Sequence, residues 1–250
     1  MTTLIERVRA GTPTRGTFLN LGSTLAAEAC ALGGFDWLLV DLEHGAGGEE
    51  ALVGQILAGA AHGVPVLVRT ESAERIRAGH VLDLGVYGVM FPRLDTPEEV
   101  SDAIRHLSYP PHGDRGIAGF NRAREFGSDG RSAQEVNGSI LSVVQIETLS
   151  ALNNVEKIAT IPGVDVLFVG PSDLSASLGI PGQFEAPQFL DALTRILEAC
   201  RATNVAAGIM QADPDPARAE WLVSIGFSFN AVGSDSSLLL SAARAAASTS

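Results

Sequence analysis

Four short apolar runs in this sequence each end on groups able to do chemistry. Asp36-Trp-Leu-Leu-Val-Asp-Leu-Glu43-His44 ends on acids and a histidine, and Pro65-Val-Leu-Val-Arg69 on an arginine. Leu141-Ser-Val-Val-Gln-Ile-Glu147 ends on a glutamate, and Val164-Asp-Val-Leu-Phe-Val-Gly-Pro-Ser-Asp173 on a glycine turn and an aspartate. Glu147 and Asp173 follow consecutive runs, so two carboxylates can share one divalent ion and leave positions for water and an oxygen-bearing substrate. The same residues can instead cap a helix or pair with an arginine. Backbone N–H groups at Gly170-Pro171-Ser172 can hold a carboxylate or phosphate. Arg69 closes a buried run and needs a partner: a developing oxyanion, or an ion pair with Asp41 or Glu43. His44 can serve as a general base. The other four histidines, His62, His80, His106 and His112, fall on helical segments or in a long loop.

These groups need elements that bring them together. Apolar runs predict strands near 17–21, 36–41, 65–69, 87–91, 140–146, 164–169, 205–210 and 227–232. Most are continuously apolar, as parallel strands covered on both faces are. Helical patterns lie near 24–32, 49–61, 73–84, 97–107, 149–160, 187–202, 214–225 and 235–247. Thr96-Pro97-Glu98-Glu99 and Asp213-Pro214 are start signals. Strict alternation of eight strands and eight helices predicts one closed (β/α)8 TIM barrel spanning 1–250 as a single domain, with active groups at the C-terminal strand ends. The irregular stretch 108–138, rich in Gly, Pro and Arg, precedes the fifth strand and so belongs to the opposite face. An interface, or a reach around to an active site, is its expected use. Ala242-Ala-Arg-Ala-Ala-Ala-Ser-Thr-Ser reads as a helix fraying into a polar end.

The composition is 46% apolar with a net charge of −12 in 250 residues. That excludes disorder and argues against nucleic acid and anionic membrane surfaces, which attract basic patches. Cys30 and Cys200 sit in helix-like apolar patterns and are expected as buried thiols. Met1-Thr-Thr-Leu-Ile-Glu-Arg lacks the apolar core of a signal peptide, and no run reaches the length of a membrane span. A cytoplasmic protein is expected.

Five motifs in order resemble the HpcH/HpaI aldolase family of class II, metal-dependent pyruvate aldolases. They are Phe35-Asp-Trp-Leu-Leu-Val-Asp-Leu-Glu-His44, Pro65-Val-Leu-Val-Arg69, Tyr109-Pro-Pro-His-Gly-Asp-Arg-Gly116, Val144-Gln-Ile-Glu147 and Phe168-Val-Gly-Pro-Ser-Asp-Leu-Ser175. The resemblance covers nearly the whole chain. It implies reversible cleavage of 4-hydroxy-2-oxo acids to pyruvate and an aldehyde through a metal-stabilised pyruvate enolate. It assigns Glu147 and Asp173 to a divalent metal (Mg2+, Mn2+ or Co2+). Gln145, Gly170, Ser172 and Asp173 become substrate contacts, and Arg69, His44 and Asp83 catalytic groups. A homo-oligomer, trimer or hexamer, is implied as well. Leu42 departs from the family's smaller residue before Glu-His, which bears on the aldehyde and not on the metal. Residues 117–124, Ile117-Ala-Gly-Phe-Asn-Arg-Ala-Arg124, keep an arginine–alanine pair.

The only lysine, Lys157, ends no strand, so a Schiff-base aldolase, which needs one in the pocket, is disfavoured. Asp83 precedes the fourth strand and belongs to the face away from His44. It is either a structural helix-end residue or a partner for His44 of a neighbouring subunit. Two other readings stay open: a metal-dependent lyase or decarboxylase acting on oxaloacetate or a CoA thioester, and a non-catalytic oligomeric barrel. The acidic charge weighs against CoA.

Overall fold

The computed structural model describes residues 2–212 and 214–248. Eight parallel strands close on themselves in chain order. They are β1 (Thr14–Leu19), β2 (Trp37–Asp41), β3 (Val66–Arg69), β4 (Gly88–Phe91), β5 (Leu141–Ile146), β6 (Val166–Val169), β7 (Ala206–Gln211) and β8 (Phe229–Ser234). The helices are α1 (Leu4–Arg9), α2 (Thr24–Leu32), α3 (Glu49–Ala61), α4 (Arg75–Asp83), α5 (Pro97–Arg105), α6 (Ala133–Gly138), α7 (Leu149–Asn153), α8 (Val155–Ala159), α9 (Pro171–Ser177), α10 (Pro187–Thr203), α11 (Pro216–Ile225) and α12 (Asp235–Ala247). The expected barrel is thus the observed one.

Alternation along each strand divides the core in two. Leu38 and Val40 of β2 pack outward on the helices, whereas Trp37 and Leu39 face the barrel interior with Phe18, Leu67, Val143, Phe168 and Phe229. The same parity carries the chemistry. After Trp37 and Leu39 the next inward position is Asp41; after Leu67 it is Arg69; after Leu141 and Val143 come Gln145 and Glu147. Hydrophobic inward residues fill the lower barrel, and polar ones occupy its C-terminal mouth.

Gly16 shows how tightly the interior is set. A Cβ there would lie 2.0 Å from the Trp37 ring. Trp37 stacks on Phe229 with centroids 4.1 Å apart, and its indole N–H donates to Thr14. The first strand therefore begins at Thr14 and not at Thr17. Its Thr-Arg-Gly half carries no apolar signal, because the space beside it belongs to a tryptophan from β2.

Other differences have local causes. α1 plugs the N-terminal end of the barrel with Leu4, Ile5 and Val8. Thr3 and Glu6 close a capping box over its start. The stretch 108–138 is not irregular throughout: it holds a 3-10 segment, Arg122–Gly127, and α6, which starts on a second capping box, Ser132 with Glu135. The helix expected over 149–160 breaks at Asn154 into α7 and α8. Asp213 lies outside the described residues, as do the last two residues of the tail. The cap observed for α11 is Asp215, followed by Pro216. Cys200 is buried as expected but Cys30 only half-buried. Burial pushes their thiols up to about 12 and about 11 respectively, which disfavours the thiolate at both.

Candidate active site

Register brings the first pair together. Asp41 and Arg69 are directly opposed on β2 and β3. Asp41 takes two hydrogen bonds from the guanidinium, from Nε at 2.9 Å and Nη2 at 2.7 Å. Such a fork fixes the plane of the guanidinium as well as its position. Nη1 remains turned toward Glu43 Oε2 at 3.3 Å and Gln145 Oε1 at 3.4 Å. Phe18 supports the cation from below, 5.2 Å from ring centroid to Cζ. Burial disfavours the charge of Arg69, but the hydrogen bonds and fields of Asp41, then Glu43 and Glu147, outweigh it and raise its pKa.

Asp41 also builds the turn that carries His44. Its Oδ1 accepts from the N–H groups of Glu43 (3.2 Å) and His44 (3.3 Å), and Oδ2 accepts from Asn20 Nδ2 (3.3 Å). Gly45 is required next, since a Cβ would meet the Asp41 carbonyl oxygen at 2.1 Å. The His44 side chain is 66% exposed, with Nε2 3.8 Å from Glu43 Oε2. It stands at the rim, free to meet a substrate or a neighbouring molecule.

Glu147 is 3% exposed. Oε1 accepts from the Arg93 N–H at 2.9 Å and Oε2 from Gln145 Nε2 at 2.9 Å. Arg93 reaches it through a left-handed backbone, φ 52°. Burial pushes the Glu147 carboxyl above its ordinary value; the Arg93 N–H lowers it, Asp173 and Glu43 raise it, and Arg69 lowers it, with the net direction up. Asp173 sits in the first turn of α9, exposed, with no side-chain cap bond. It is thus not the helix cap that its position allowed. Gly170 supplies the close approach: a Cβ there would lie 2.7 Å from Glu147 Oε2 and 3.3 Å from Gln145 Nε2.

Phe18, Asn20, Asp41, His44, Arg69, Gln145, Gly170, Ser172 and Asp173 border one cavity of about 360 Å3 at the C-terminal mouth. Of the expected site residues, His44, Arg69, Gln145, Gly170, Ser172 and Asp173 line this cavity, while Glu147 lies behind its wall, bonded to Gln145 and beside Gly170. Asp83 does not. It ends α4 at the N-terminal face and accepts from Arg115 Nη2 at 2.8 Å. Arg115 is itself 2% exposed and stacks on Tyr109. Within one chain Asp83 is a structural ion-pair partner.

A divalent ion suits the mouth. No group of three or more His, Cys, Asp or Glu side chains forms a ready cage among the described residues. Yet the oxygens of Glu147 and Asp173 are hard donors, the charge of Asp173 helps hold the Glu147 carboxyl up, and Gly170 keeps the space beside Glu147 open. Lys157 is exposed on α8, outside the barrel.

The ion pair of Arg69 with Asp41 or Glu43, one of the two expected partners for this arginine, is formed with both acids. One contributor was not legible. Arg93 contributes a backbone N–H, which no side-chain pattern marks. Asn20 ends the apolar run of β1 and so carried a positional signal; its backbone N–H is held by buried Asp235 at 2.7 Å.

The family model for HpcH/HpaI aldolase/citrate lyase matches residues 15–242. The chain belongs to this family. Among HpcH/HpaI relatives, a hydroxypyruvate/pyruvate aldolase of Paraburkholderia phytofirmans is 40% identical over 97% of this chain and 95% of its own length. A 4-hydroxy-2-oxovalerate aldolase of Rhodococcus jostii is 38% identical over 90% of this chain and 86% of its own. The crystal structure of an HpcH/HpaI aldolase/citrate lyase family protein from Burkholderia cenocepacia superposes with a TM-score of 0.93 at 38% identity. It matches 99% of this chain and 98% of the other.

Proposed function

We propose that this protein is a class II pyruvate aldolase, a carbon–carbon lyase that reversibly cleaves 4-hydroxy-2-oxo acids to pyruvate and an aldehyde. The observation that carries the reading is one cavity lined by the guanidinium that Asp41 locks, by His44 and by Asp173, with Glu147 directly behind it, bonded to Gln145 and beside Gly170. Glu147 and Asp173 would hold a divalent ion, Mg2+, Mn2+ or Co2+, which supplies Lewis acidity at the substrate's 2-oxo group. Gln145 and the backbone at Gly170 and Ser172 orient the substrate carboxylate.

In cleavage His44 takes the proton of the C4 hydroxyl, directly or through a water, and the C3–C4 bond breaks. C4 leaves as the aldehyde, and the electron pair passes through C3 toward the C2 oxygen. There Arg69 Nη1 offers a fixed hydrogen bond to the growing charge. The proton returns to C3 and gives the methyl of pyruvate, so the reaction balances without a redox partner.

Within one chain Asp83 and His44 stand at opposite ends of the barrel, His44 exposed and Asp83 half-buried, so a role for Asp83 at His44 would need a second copy. We therefore read the active form as a cytoplasmic homo-oligomer, trimer or hexamer, in which Asp83 orients the His44 of a neighbouring copy. An unchanged kcat and pH profile in Asp83→Asn would remove that dyad.

The activity test is pyruvate release from a panel of 4-hydroxy-2-oxo acids, read by coupling to lactate dehydrogenase. Release should stop with EDTA and return with Mg2+, Mn2+ or Co2+. No pyruvate from any member of the panel overturns the reading.

A further inference from the structure

A second cavity, about 260 Å3, lies beside the first at the same end of the barrel. It is bordered by the start of α9, the connection into α10, the end of β7 and α11. Pro171, Ser172, Met210 and Ala212 line both cavities. The shared wall is short, four residues, of which Ser172 and Ala212 are small and exposed. Beyond it the walls are apolar: Phe184, Phe189, Ile209 and Leu222. Phe184 and Phe189 lie with ring centroids 5.5 Å apart.

The charged groups around this second space are already engaged. Arg218 donates to Glu185 at 2.7 Å and stacks over Trp221 at 4.3 Å. The Asp215 side chain accepts from Ala217 N–H, and Gln211 donates to the Asp215 carbonyl. Among the described residues lining it, the one cation, Arg218, is already paired with Glu185. Joined, the two cavities fall in the usual range of small-molecule sites, roughly 300–1,000 Å3.

We propose that this second cavity is a subsite for the aldehyde half of the substrate, and that it takes an uncharged alkyl or aryl tail on C4. The inference rests on the aldolase reading: the Pro171–Ser172 segment assigned to the pyruvate half is also the wall of the second cavity. A substituent on C4 then has only that shared wall to cross. Apolar surface buried there strengthens binding in proportion to tail length.

The test is aldol addition of pyruvate to straight-chain aldehydes from propanal to octanal and to their ω-carboxylated counterparts. Exchange of the pyruvate methyl protons with D2O is followed in parallel by NMR. In the unaltered protein kcat/KM should rise by about fourfold per added methylene until the cavity is full, and the carboxylated series should not rise. Phe184→Asp should flatten the series with exchange unchanged, and Phe184→Leu should keep most of the slope. A flat series in the unaltered protein, a better carboxylated series, or a full slope in Phe184→Asp with exchange intact overturns the subsite. If Phe184→Asp does not fold, the series in the unaltered protein and in Phe184→Leu decides. Absence of methyl exchange with every ion tried overturns the aldolase reading itself, and the subsite with it.

Discussion

Arg69→Lys would keep a positive charge at the mouth of the barrel but lose the fork that Asp41 grips. A lysine ammonium offers one point of charge where the guanidinium offers two oriented pairs of donors. Loss of a positioned oxyanion donor lowers kcat by about 10²–10³, and kcat for pyruvate release in Arg69→Lys should fall by that order. Asp41→Ala acts differently. It strips the nearly buried guanidinium of both bonds of its fork, leaving only Glu43 beside the charge, and removes the acceptor that shapes the turn before His44. Stability should drop by about 3–5 kcal/mol in denaturant titration, together with activity. Glu147 gives a pH signature. Its raised pKa means the folded chain retains a proton that the unfolded chain has already released. In EDTA, stability should be full below the unfolded value and decline as pH rises through the folded one. Glu147→Gln should abolish this decline, and a saturating divalent ion should reverse it; a pH-independent midpoint across that window would contradict the assignment. Much of this site could be read from strand-end residues, because Arg69, Glu147 and Asp173 continue strand patterns that end at one face. The Arg93 N–H could not, since a left-handed backbone at a non-glycine residue has no signal in side-chain type.

Elements were legible where one apolar pattern decided them and obscure where packing partners did. β2 and β5 are buried along their whole length and mostly apolar because both faces are covered, so their positions agree with the structure to within a residue. β1 is displaced because Gly16 contributes space and not a side chain. Gly16→Ala should test this directly: its methyl enters the Trp37 ring, and overpacking of this kind destabilises by about 1–3 kcal/mol, measured as a shift in urea midpoint at constant slope. An unshifted midpoint would mean that the β1–β2 contact is loose. α1 and α6 were missed although both carry capping boxes, Thr3 with Glu6 and Ser132 with Glu135. Each is six residues long, too short for helical periodicity to show. The capping signal was sufficient alone in both places.

At the scale of the whole molecule, the closed sheet ties distant segments into one rigid mouth: Asn20, Asp41, Arg69, Gln145 and Asp173 come from five different strand ends. The ion proposed above, held by Glu147 and Asp173, would tie β5 to the start of α9, and binding only to the folded state would raise stability by about 2.7 kcal/mol at a hundredfold excess over Kd. The melting temperature should rise with Mg2+ or Mn2+, and not in Glu147→Gln. The oligomer proposed above predicts a sedimentation mass that is three or six times the 26.0 kDa of one chain; a monomer at working concentration would contradict it. The acidic charge agrees with small anionic substrates only because the cavity gathers a fixed cation, Arg69, inside an otherwise negative molecule. The two tryptophans give the molecule an optical use. Trp37 is sealed in the barrel against Phe229, whereas Trp221 lies under Arg218, which borders the second cavity. Emission from Trp37 should therefore follow unfolding and ignore ligands. Emission from Trp221 should change whenever Arg218 moves, so a Trp37→Phe chain would carry its own fluorescent gauge of what enters beside the active site.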